Sequence, residues 1–199
     1  SELPKVLHPL AGKSLIERVL SSTTGLNPNH RFVVVGHQSN VLKESLKKYP
    51  DLDFVLQQPQ NGTGHAIQQL IPKLEGFNGE LLVLNGDVPM LKEKTLSSLL
   101  KFHKASNACV TFLSAKLTSP KGYGRVFTNK SGLVKKIVEE RDCNDEQRRN
   151  NLINAGVYCF NWQDLLDVLL SISNNNSQNE IYLTDTISLL KNARHFEID

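Results

Sequence analysis

Between residue 13 and about residue 104 the sequence switches repeatedly between two hydrophobic periods, and this alternation limits the folds open to it. Lys13–Ser21 carries apolar residues at Leu15, Ile16, Val19 and Leu20, the stripe of an amphipathic helix. Arg31–Val35 is a β-branched run ended by Gly36 and reads as a buried strand. Val41–Leu46 is helical again, Phe54–Leu56 a strand, Gly64–Leu74 a helix, Glu80–Leu84 a strand and Leu91–Phe102 a helix. Strand, helix and strand in such short steps predict right-handed βαβ units. The expected fold is therefore α/β, with a mostly parallel central sheet and helices on both faces.

After residue 105 the texture changes. Ala108–Leu113, Arg125–Thr128, Gly132–Val138 and Ile153–Phe160 read as strands with few long helices between them, punctuated by Gly122, Gly124 and Gly132. Helices follow at Trp162–Ile172 and around Ile181–Leu190, separated by the polar run Asn174–Asn179, and His195–Ile198 reads as a last short strand. With 199 residues the chain fits one domain. Its expected halves are residues 1–104, in which strands and helices alternate, and 105–199, smaller and β-rich.

Composition excludes several classes. A formal net charge of +3, with Lys and Arg scattered, gives no nucleic-acid surface. No apolar stretch approaches 18 residues, so no membrane span is expected. Cys109, Cys143 and Cys159 are odd in number and form no CxxC pair, which predicts reduced thiols and a cytoplasmic setting. The six histidines show no zinc spacing. The chain opens on a loop rather than a strand and begins with Ser, so a segment upstream of it is expected.

In open parallel sheets ligands bind beyond the carboxyl ends of the strands. Three segments qualify: Gly36-His37-Gln38, Gln57 to His65, and Asn85-Gly86-Asp87-Val88-Pro89. Asp87, between Gly86 and Pro89, suits a Mg²⁺ ligand, since Mg²⁺ takes hard oxygen donors, or it caps the next helix. Gly62-Thr63-Gly64 opens a helix whose backbone N–H groups are available to a ligand, or the glycines serve a turn behind a Thr cap. Lys5 is either a phosphate-facing cation or a solvated lysine.

Taken as an ordered set, the motifs say more. They are Ser1-Glu2-Leu3-Pro4-Lys5-Val6-Leu7-His8, the run Gln57 to Ala66, Gly86-Asp87-Val88-Pro89, Gly122-Tyr123-Gly124-Arg125, Val138-Glu139-Glu140, Asn154-Ala155-Gly156 and Tyr182-Leu183-Thr184-Asp185. Over essentially its whole length the chain resembles the uridyltransferase domain of the bacterial bifunctional enzyme that acetylates glucosamine 1-phosphate and then uridylylates it. The resemblance implies a Rossmann-like, GT-A-like nucleotidyltransferase fold. It also implies transfer of UMP from UTP to N-acetylglucosamine 1-phosphate, giving UDP-N-acetylglucosamine and pyrophosphate for cell-wall biosynthesis. Carried over by position, Lys5 contacts phosphates and Asp87 holds Mg²⁺. Gln57, Gly62 and Thr63 hold uracil, with Asn85 and Gly86 in the same nucleotide site. Gly124, Glu139, Asn154, Tyr182 and Thr184 line the amino-sugar pocket.

The same resemblance implies parts beyond this sequence: an upstream strand and glycine-rich loop ending in Arg, a second Mg²⁺ ligand downstream, and a left-handed β-helix that forms a homotrimer. The chain alone is therefore expected to be nearly inactive. Asn85 stands where the family often has Tyr. A related sugar nucleotidyltransferase and a non-catalytic nucleotide-sugar module are the rival readings. An NAD-binding domain would need GxGxxG after its first strand, and the sequence has none.

Overall fold

The computed structural model describes residues 3–198, so Ser1, Glu2 and Asp199 lie outside the described residues, the first two belonging to the opening motif. The strands are β1 (Pro9–Leu10), β2 (Lys13–Ser14), β3 (Arg31–Val35), β4 (Leu52–Leu56), β5 (Glu80–Leu84), β6 (Val110–Lys116), β7 (Arg125–Thr128), β8 (Val134–Val138), β9 (Leu152–Asn161) and β10 (Ala193–Ile198). The helices are α1 (Leu15–Ser22), α2 (Ser39–Leu46), α3 (Thr63–Gln68), α4 (Glu93–Ser106), α5 (Asp145–Arg148), α6 (Trp162–Leu169) and α7 (Thr186–Leu189). The chain divides into two compact units, and α4 passes from the first into the second.

The first unit comprises residues up to Gln60 together with Leu84–Ser98. Its helix α1 starts in a capping box. The Ser14 hydroxyl accepts from the Glu17 N–H at 3.4 Å, and Glu17 Oε2 accepts from the Ser14 N–H at 2.9 Å. The stripe read from sequence is the buried one, with Ile16, Val19 and Leu20 inside. β3 runs parallel to β4, Val33 opposite Phe54. Leu7, Ile16, Leu20, Val33, Val35, Leu42, Leu46 and Leu52 form one apolar cluster. The β1–β2 hairpin, turned at Ala11 and Gly12, was not expected; strands of two residues are too short to show a period.

The second unit comprises Asn61–Val83 and the chain from Leu99 onward. It holds a six-stranded sheet in the order β10-β6-β9-β7-β8, with β5 also paired to β9. β10 is parallel to β6, whereas β9 runs antiparallel to both β6 and β7, and β7 to β8. The fold is α/β as expected, but its larger sheet is mixed. β3/β4 and β6/β10 are parallel pairs, whereas β7 and β8 form an antiparallel hairpin turned through Gly132 and β9 inserts antiparallel between β6 and β7. The helix expected at Gly64–Leu74 ends at Gln68 and resumes as a 3₁₀ turn, Ile71–Lys73, which contains Pro72. That expected around Ile181–Leu190 is a 3₁₀ turn, Leu183–Asp185, followed by the four-residue α7. Phe112, Val157, Phe160, Trp162, Leu165 and Ile187 lie at the centre of this core.

Candidate active site

In the first unit the turn after β5 and the 3₁₀ turn Lys5–Leu7 meet. Lys5 Nζ donates to Asp87 Oδ2 at 2.6 Å. A hydrogen bond to Asp87, then the charge of Asp87, raises the lysine pKa above its ordinary value of 10.5. The Lys5 side chain is 76% exposed and that of Asp87 32%, so both charges are offered to solvent. Asp87 does not cap α4, which begins only at Glu93. Gly86 allows the approach. A Cβ there would lie 3.2 Å from both Ile16 Cδ1 and Val6 Cγ1, so the absence of one lets the turn press against the segment carrying Lys5. Asn85 is exposed, and its carbonyl closes the turn by accepting from the Val88 N–H at 3.3 Å. Gln57 is buried and continues the β3/β4 ladder, its N–H donating to Val35 O at 2.8 Å. Lys5 and Asp87 are thus brought together, with Asn85 and Gly86 on the same turn.

In the second unit the Gly-Thr-Gly run packs on residues 180–183. The Gly64 N–H donates to Ile181 O and the Ile181 N–H to Asn61 O, each at 2.7 Å. Gly62 has φ +102, and a Cβ on it would meet Ile181 O at 2.6 Å. The Thr63 hydroxyl accepts from the Leu183 N–H at 3.0 Å. These residues therefore fasten the start of α3 to the 3₁₀ turn that carries Thr184, which is a structural role.

Around that turn a cluster of polar groups assembles. Thr184 Oγ1 donates to Glu139 Oε1 at 2.9 Å. A Cβ on Gly124 would stand 3.2 Å from Glu139 Oε2, so Gly124 leaves the space beside the carboxylate. The Asn154 N–H donates to Gly124 O at 2.9 Å, bringing β9 alongside. Tyr182 opens the 3₁₀ turn, and its hydroxyl accepts from Gln178 Nε2 at 2.6 Å. Gly124 is thus bonded to Asn154 and Glu139 to Thr184, with Gly124 beside the Glu139 carboxylate. Burial raises the Glu139 pKa above the ordinary carboxylate value; the Thr184 hydrogen bond opposes this, and Asp185 and Asp142 reinforce it.

Sequence reasoning gives Arg125 no role beyond its place in the Gly-Tyr-Gly-Arg motif. It is 2% exposed, and its Nη2 pairs with Glu140 Oε2 at 2.7 Å while Nη1 donates to Tyr123 O. Burial works against the Glu140 charge, but Arg125 and the Gly122 N–H outweigh it and hold the carboxyl below its ordinary value. This pair fixes the Glu139-Glu140 turn from behind. Charged residues within β-strands and their turns were the available signal. Asp185 appears only as the end of the Tyr182-Leu183-Thr184-Asp185 motif, and Asp142 had no signal of its own.

Glu80, His103 and Cys159 also place donor atoms within 4.8 Å of one another. Both nitrogens of His103 are engaged, Nδ1 with Thr111 Oγ1 at 2.9 Å and Nε2 with Glu80 Oε2 at 2.8 Å. Burial pushes the Cys159 thiol up to about 12. His103 thereby ties α4 to β5 through Glu80 and to β6 through Thr111. The three cysteines are free thiols.

Residues 1–197 match the Nucleotidyl transferase family. The chain belongs to that family. A protein of Prochlorococcus marinus, "Bifunctional protein GlmU", is 78% identical over all 199 residues, and one of the same name from a Synechococcus strain is 56% identical. The chain spans 45% and 44% of the lengths of these relatives. Among solved structures, a UDP-glucose pyrophosphorylase complexed with UDP-glucose superposes with a TM-score of 0.72 at 20% identity, over 98% of this chain and 83% of that one. HddC from Yersinia pseudotuberculosis, complexed with GMP-PN, gives 0.71 at 17% identity over 98% and 81%. Both likenesses are of fold. Among the described residues no helix is long and apolar enough to cross a membrane.

Proposed function

We propose that this chain is the uridyltransferase part of a larger protein. It would transfer UMP from UTP to N-acetylglucosamine 1-phosphate, releasing pyrophosphate and giving UDP-N-acetylglucosamine. The observation that carries the reading is the Lys5–Asp87 pair, 2.6 Å apart and open to solvent beyond a β-strand end. Membership of the family and the ordered motifs supply the substrate class. In the reaction an oxygen of the sugar phosphate forms a bond to the α-phosphorus. The bridging bond to the β-phosphate breaks, and its electron pair leaves with pyrophosphate. The nucleophile is already an anion near neutral pH, so no general base is required.

What must be overcome is repulsion. Two unit charges 4 Å apart cost about 4 kcal/mol at an effective dielectric of about 20. Lys5, kept protonated by Asp87, places one positive charge on the phosphates. Mg²⁺ is the cofactor this chemistry calls for, and Asp87 fits it, offering hard carboxylate oxygens that solvent and phosphates can share. When bound, it supplies further charge neutralisation on the phosphates. Gln57, Gly62 and Thr63 hold the uracil end, and Asn85 and Gly86 add further substrate contacts. Gly124, Glu139, Asn154, Tyr182 and Thr184 receive the amino sugar, whose hydroxyls need both acceptors and donors. Assembly of the whole protein as a trimer through a β-helix outside this chain belongs to the same reading.

Pyrophosphate release by the full-length protein, with UTP against dTTP and N-acetylglucosamine 1-phosphate against glucose 1-phosphate, tests it. A clear preference for the first of each pair is expected. Equal use of both sugars, or a preference for dTTP, overturns the assignment.

A further inference from the structure

β9 is not a regular strand where it meets the pocket. Phe112 of β6 faces Tyr158, but Ser114, two residues along, faces Asn154, four residues along β9. Two extra residues are therefore accommodated in the stretch Ala155–Val157, where Gly156 takes φ +73. In an unbroken strand residues four apart are separated by about 13 Å. Here Asn154 Nδ2 donates to the Tyr158 hydroxyl at 2.6 Å. The bulge folds the strand so that one of its own residues grips another.

The hydrogen bonds also fix which way round the Asn154 amide lies. The Gly156 N–H can only donate, and it donates to Asn154 Oδ1 at 3.1 Å. This forces Nδ2 toward the phenol, whose oxygen must accept. Tyr158 is itself immobilised. It is 6% exposed, its ring stacks on Phe160 at 5.6 Å and lies against Phe112 at 6.0 Å. Burial keeps the phenol protonated. The amide is left with one further N–H and one further lone pair for the pocket that Gly124 and Glu139 share.

We propose that Tyr158 is a positioning residue for the sugar phosphate, acting through Asn154 by holding its amide in one orientation at the β9 bulge. The inference rests on the reading of Asn154 as a ligand of the amino sugar. It predicts that Tyr158→Phe, which keeps the ring and removes the acceptor, raises KM for N-acetylglucosamine 1-phosphate about fivefold, the effect of one hydrogen bond. KM for UTP should stay within about twofold, well inside one hydrogen bond's worth.

The test is a double-mutant cycle in the full-length protein: wild type, Asn154→Ala, Tyr158→Phe and the pair. In the Asn154→Ala background the Tyr158 change should add nothing to the sugar-phosphate KM. Independent, multiplying effects, or equal rises in the KM of UTP, overturn the positioning role. Should Asn154→Ala alone leave that KM unchanged, the pocket assignment falls first and the inference with it. An independent measurement needs no variant: in the wild-type protein the Asn154 side-chain NH₂ protons should be slow to exchange with solvent. Fast exchange overturns the proposal.

Discussion

Asp87 and Lys5 neutralise each other at a solvent-open turn, and exposed pairs of this kind contribute about 0–1 kcal/mol to stability. Asp87→Ala should accordingly leave Tm nearly unchanged while lowering turnover by about 10²–10³-fold, the usual effect of removing one charge-stabilising group. Near-normal turnover in that variant would remove the metal and phosphate assignment together. Glu139 is in the opposite position, a carboxylate held in a place that disfavours its charge. Its pKa is raised in the folded protein, chiefly by burial, so the folded state binds that proton more tightly than the unfolded one. The stability this confers is complete below the ordinary carboxylate value of 4.5 and is lost as pH rises through the raised one. Glu139→Gln, which keeps an acceptor for Thr184, should then melt higher than wild type near neutral pH, the difference closing below pH 4.5. The same variant should use sugar phosphate less well while still binding UTP. Thermal melts across pH check the first part, and separate KM values the second. A variant that melts no higher at pH 7 would mean that the buried charge is better paired than its surroundings indicate.

At the scale of elements, the Gly-Thr-Gly run shows how a ligand-type motif and a structural one share the same residues. Replacing Gly62 by Ala puts a Cβ onto the Ile181 carbonyl at 2.6 Å, in a backbone region that L-residues avoid. No rotamer relieves that clash, so a loss of about 1–3 kcal/mol is expected by denaturant titration. A loss confined to UTP affinity, with no change in stability, would instead assign the glycine wholly to the ligand. Much of the element order was legible in the sequence. β3, β5 and β7 have the limits their β-branched and apolar runs gave, because turn-forming residues bound them: Gly36 after the first, Gly79 and Asn85 around the second, Gly124 and Asn129 around the third. The α1 stripe was legible because its apolar residues recur at helical spacing. The β9 bulge was not, since two additional residues leave the apolar run of Ile153–Phe160 intact and only change which residues face one another. For that reason Asn154 was found as part of a motif and Tyr158 was missed. Asp87 could be named from its position after a strand and Lys5 from the opening motif, but their contact across 82 residues of chain is a tertiary fact that no local pattern contains.

For the molecule as a whole the governing quantity is charge. A formal net charge of +3 gives little general attraction for a triphosphate, so the neutralisation that transfer requires must be local. The proposed chemistry assigns one unit of it to Lys5 and the remainder to a divalent cation held with the help of Asp87. Among the described residues the polar groups inside the fold pair with one another, among them Glu17 with Ser14, Arg125 with Glu140 and His103 with Glu80. Removing divalent cations with EDTA should therefore abolish turnover of the full-length protein and leave its far-UV circular dichroism and Tm unchanged, and added Mg²⁺ should restore the rate. Turnover that survives chelation would mean that the lysine and its neighbours suffice for neutralisation. A Tm that falls with the rate would mean that an ion is part of the fold, and the donor group Glu80, His103 and Cys159 would then be the first place to look for it.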